Sequence, residues 1–136
     1  MKFLIASLPI IILFTVSCKK EKQSDENIFG QWKWEAQYRG SPANTQTPQS
    51  TGIQEILIFD INNHWSLIQN GTQVNSGTFK ISLVTGRSND MVKSLHYSSA
   101  TNNDSIAYYT VTDNSLLFSN DLIGTIGDGA RVYSKQ

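Results

Sequence analysis

The 136-residue chain has a single cysteine, Cys18, so no disulfide can form within it and no cysteine-based metal site exists. It has only two histidines, His64 and His96, with Asp60 four residues before the first. A metal site needs three or more converging ligands, so both histidines read as surface or structural residues and no metal is expected. Neither sign of charge is in excess, with 11 Lys and Arg against 11 Asp and Glu. A chain without net charge lacks the field that draws nucleic acid, and no nucleic-acid partner is expected. No serine, aspartate or glutamate shows a catalytic spacing, and no glycine-rich loop joins a strand to a helix, so the chain reads as neither an enzyme nor a cofactor carrier. Long apolar runs are scarce as well. The one present, Phe3 to Val16, is shorter than the roughly 20 residues that span a bilayer core.

That run has the layout of a removed secretory signal: Lys2 supplies the charge, Phe3 to Val16 the apolar region, and Val16-Ser17-Cys18 the small residues and thiol that close it. An odd cysteine in a secreted chain calls for a role. The segment resembles a bacterial lipobox, with Thr15 standing where that family usually has leucine. The resemblance implies cleavage of residues 1–17, a diacylglycerol on the Cys18 thiol, and acyl chains such as palmitate anchoring the new terminus in a membrane. Several chains hold essentially permanently, at about 0.8 kcal/mol per buried methylene. Residues 18–27 follow as the lipidated cysteine and a tether, KKEKQSDEN, without one apolar residue. In this class of lipoproteins, aspartate after the cysteine retains the protein in the inner membrane. Lys19 is not that signal, which implies the outer membrane.

Residues 28–136 read as one all-β domain, with short runs rich in Ile, Val, Thr and aromatics between Asn, Asp, Gly and Ser clusters. In Gln31–Tyr38, Trp32, Trp34, Ala36 and Tyr38 alternate with polar residues, which predicts one face in a core and one in water. Further strands are predicted over Glu55–Asp60, Trp65–Gln69, Thr72–Leu83, Met91–Tyr97, Ser105–Thr112, Ser115–Ser119 and Ala130–Ser134. Gly40 to Gly52, polar and holding two prolines, reads as a long loop and a partial lid. Asn70-Gly71 predicts a type I′ hairpin, and Gly77 a bulge within its strand. Eight strands with mostly short connections favour consecutive antiparallel neighbours closing into a small up-and-down barrel, which leaves no exposed edge.

Phe29-Gly30-Gln31-Trp32 resembles the G-x-W opening of lipocalins and fatty-acid-binding proteins. The set GQWKW, TPQSTG, EILIFDINNHWSLIQNG and SGTF resembles the lipocalin-like domains of Gram-negative lipoproteins. The resemblance implies a barrel base in which Trp32 packs under an arginine of the last strand, here Arg131. The alternation places Trp34, Ala36, Leu57, Phe59, Trp65, Leu67, Phe79 and Ile81 inside. Eight strands enclose either a filled interior or one small ligand, and these bulky side chains consume volume. Two functions follow: binding of a small lipophilic ligand, or a plugged structural module that engages another envelope protein. Asp104-Ser105-Ile106 also resembles a bacterial O-glycosylation acceptor, with Ser105 as the modified residue, in what reads as a loop.

Overall fold

In the computed structural model the described residues are 28–86, 89–100, 104–119 and 129–136, so Cys18, the signal and the tether lie outside them. The fold is the expected all-β barrel. Its strands are β1 (Gly30–Arg39), β2 (Ser41–Gln46), β3 (Glu55–Phe59), β4 (His64–Gln69), β5 (Thr72–Thr85), β6 (Met91–Ser99), β7 (Asp104–Val111), β8 (Ser115–Ser119) and β9 (Arg131–Lys135). Every strand from β3 onward pairs antiparallel with the next, and β9 returns to pair with β1, closing an eight-stranded up-and-down barrel. The ninth strand, β2, folds back on the length of β1 that β3 does not reach.

The segment expected as a plain loop, Gly40 to Gly52, therefore holds β2 and a short helix, α1 (Pro48–Thr51). The Thr47 side chain accepts from the Ser50 backbone N–H, and the Ser50 hydroxyl accepts from that of Thr47, a reciprocal cap. Pro48 starts the helix where its missing N–H costs nothing, and Gly52 ends it at φ 70°. Asn70 and Gly71 adopt φ values of 49° and 81°, as a type I′ turn demands.

Two register details depart from expectation. The bulge of β5 lies at Val74, where the pairing with β4 slips between Leu67–Asn75 and Ile68–Gln73, and not at Gly77. A second slip in β1 pairs Trp34 with Tyr133 but Ala36 with Val132. Val132 lies between two residues whose side chains line the interior, so Ala36 faces outward with it, contrary to the simple alternation.

The lower end of the barrel is filled. Ile28, Trp32, Phe79, Leu95, Tyr109 and Leu116 are buried there, and the Trp32 indole N–H donates to the Ile28 carbonyl at 2.7 Å. Lys135 Nζ stands 5.3 Å from the Trp32 ring. The cation over Trp32 is thus Lys135, while the expected partner, Arg131, lies 5.4 Å from the ring of Trp34. Arg131 sits nearer the other end of β9, opposite Gln37, so the register carries it past Trp32. Among the described residues no helix is long and apolar enough to cross a membrane.

Candidate functional site

Above the filled end the barrel encloses a cavity of about 280 Å3, partly open to solvent. Inward positions of β3, β4, β6 and β8 supply its apolar wall through Leu57, Phe59, Trp65, Leu67, Leu95 and Phe118. Tyr97 closes on Trp65 edge-to-face at 5.6 Å, and Phe118 on Tyr133 at 5.9 Å, so the wall is held by interlocked rings. Space survives because Asn75, Ala107 and Gly129, also in the wall, are too small to fill it.

The polar end of the cavity rests on Glu55, which is 2% exposed. The Tyr133 hydroxyl donates to Glu55 Oε1 at 2.7 Å, and Arg131 approaches the same oxygen at 2.9 Å. Gln69 Nε2 donates to Oε2 at 2.9 Å. A buried carboxylate is costly unless its charge is paired and its lone pairs are occupied, and here both conditions are met. Arg131 lies between aromatic faces, 5.4 Å from Trp34 and 5.6 Å from Tyr133. Its Nε is buried without a hydrogen-bond partner. Burial pushes the Tyr133 hydroxyl well above the usual tyrosine range, and the negative Glu55 beside it adds to the rise against the opposing pull of Arg131.

Of the interior set read from alternation, Trp34, Leu57, Phe59, Trp65 and Phe79 are buried, and Leu67 and Ile81 pack against them. Leu57, Phe59, Trp65 and Leu67 line the cavity itself. Glu55 and Tyr133 were not foreseen. The signal for Glu55 was an acidic residue in the inward phase of a strand, two before Leu57 and four before Phe59.

The remaining candidates stand apart. His64, the exposed first residue of β4, and the half-buried Asp60 flank the tight connection between β3 and β4, with Nδ1 3.5 Å from Oδ2. The His64 backbone N–H, bonded to Asp60 at 2.9 Å, holds that carboxyl below its usual range, and the Asn62 N–H and the imidazole add in the same direction. His96 is exposed on β6, and among the described residues no three potential ligands converge on a metal position. Ser105 is not in a loop: it is the second residue of β7, half-buried and paired with Tyr97. No described residue of Gly40 to Gly52 lines the cavity.

Compared with protein-family models, with curated proteins and with solved structures, the chain matches none.

Proposed function

We propose that this chain is a lipid-anchored, lipocalin-like barrel of the bacterial cell envelope that binds one small lipophilic molecule without chemical turnover. The observation that carries the reading is the partly enclosed, aromatic-walled cavity of about 280 Å3 above a solid base. A cavity of about 150 Å3 suffices for benzene, so this one takes a molecule of about a dozen non-hydrogen atoms. It lies just below the roughly 300 Å3 at which pockets for drug-sized ligands begin, which sets the scale of the ligand. The Cys18 lipobox and the uncharged balance of the tether support attachment through lipid, with the outer membrane as the site implied by Lys19.

The filled lower half favours a second reading, an envelope module that engages another protein through its outer surface. Native mass spectrometry of the domain purified without its signal separates the two. A bound lipophile of about 150–200 Da, the mass that a dozen or so heavy atoms imply, supports the first. A bare mass, with no adduct after incubation with small alcohols and aromatics, overturns it. The anchor has its own test: Cys18→Ala should move the protein from the membrane to the soluble fraction, and unchanged membrane retention refutes lipidation.

A further inference from the structure

Resting on the cavity-binding reading, we infer that the site selects a neutral, hydroxyl-bearing lipophile and rejects a carboxylate of the same length. Arg131 is the one charged residue among the described residues lining the cavity, and it is already paired with Glu55 at 2.9 Å. The pair has no net charge. Its guanidinium is flanked by the Trp34 and Tyr133 rings. An incoming carboxylate would therefore meet a cation already neutralised by Glu55 and would add a second negative charge beside that buried carboxylate. An ion desolvated without a partner binds poorly.

The hydrogen-bonding state of the polar end points the same way. Tyr133 directs its phenolic hydrogen to Glu55 at 2.7 Å, so the lone pairs of its oxygen are what remain for a ligand. A lone pair accepts from an alcohol or phenol, whereas an ionised carboxylate has no proton to give. The same three contacts that make Glu55 tolerable inside the barrel thereby set the chemistry of what can join it.

Calorimetric titration of the folded domain at pH 7.4 with 1-octanol and with octanoate tests this directly. The expected result is at least tenfold tighter binding of octanol. Glu55→Gln removes the competing charge while keeping an amide of the same shape, so octanoate affinity should rise at least tenfold. Octanoate binding as tightly as octanol to the unaltered protein overturns the inference and leaves the cavity reading standing. So does a folded Glu55→Gln protein with unchanged octanoate affinity. If neither molecule binds at millimolar concentration, the cavity reading itself fails and this one with it. Should Glu55→Gln not fold, the comparison on the unaltered protein still decides.

Discussion

Gly77 is the position where one methyl group should cost the barrel most. It lies in β5 between Trp65 of β4 and Ser99 of β6, and the neighbouring strand passes unusually close to it. A Cβ built there falls 1.8 Å from the Ser98 carbonyl oxygen and 2.8 Å from its carbon, both backbone atoms. The Trp65 indole N–H donates to that same carbonyl at 3.1 Å. Gly77→Ala must therefore push β6 away by more than about 1 Å, because real Cβ atoms essentially never come within 3.0 Å of a neighbour. Overpacking of this kind costs about 1–3 kcal/mol. Losing the indole bond and leaving its donor unsatisfied adds about 1–3 kcal/mol. Working against both is the reduced entropy of the unfolded chain, which favours alanine over glycine by about 0.4–1 kcal/mol.

The balance is a net destabilisation of about 1–5.5 kcal/mol, with Tm lowered by about 4–8 °C for each kcal/mol in a domain of this size. Urea unfolding followed by tryptophan fluorescence measures it, with Trp65 itself reporting the change beside Ser98. A loss below about 0.5 kcal/mol, or any stabilisation, would refute the close-approach argument and show that β5 and β6 yield without cost.

Gly71→Ala should cost only about 1 kcal/mol in the same assay, since the left-handed backbone at φ 81° penalises a Cβ that meets nothing within 4 Å. Tyr133→Phe removes a hydrogen bond to a buried carboxylate and should destabilise by about 1.5–3 kcal/mol, read from the shift in urea midpoint. Because the folded-state pKa of Tyr133 is raised, its contribution is fully present below the unfolded tyrosine value near 10 and is lost as pH rises above it; ultraviolet titration should show one fewer tyrosine ionising with the exposed set in wild type. Asp60 is lowered instead, so its contribution is present above the ordinary aspartate value of 3.8 and is lost as pH falls through the folded value. Asp60→Asn should therefore lower Tm at pH 7, with the gap to wild type closing in strong acid; a gap independent of pH would exclude the charge as its source.

The strands were readable because a half-buried strand writes its period into the sequence. Trp32 and Trp34 against Lys33 and Glu35 fix which face of β1 turns inward without reference to the rest of the chain. Asn70-Gly71 was equally local, since the turn depends on two residues that tolerate positive φ. What failed locally was register. Ala36 faces outward because β9 pairs with β1 across a slip, and that slip is decided by residues 131–134, at the far end of the chain. Gly77 shows the same limit: a glycine in a strand marks either a bulge or a close approach, and only the position of Ser98 selects the second. The Gly40 to Gly52 segment is a different case. Its helix signal was present as Thr47-Pro48-Gln49-Ser50 followed by Gly52, and polarity alone outweighed it.

The cavity was hidden for a physical reason that also explains where it lies. A volume is a property of one level of the barrel, summed around all strands, and residues on one level are scattered along the sequence. Bulky inward residues predict a filled interior only if they share levels evenly. Here Trp32, Phe79, Tyr109 and Leu116 gather toward one end, whereas Asn75, Ala107 and Gly129 bring small side chains into the wall of the other. Glu55, Gln69, Arg131 and Tyr133 then bind one another beside the space left open. An apolar residue in place of Glu55 would leave the Arg131 charge unpaired and the Tyr133 hydroxyl without its acceptor. The network that keeps the upper barrel ordered is thus the same one that prevents it from collapsing into a second plug, and stability and an available interior arise from a single buried carboxylate.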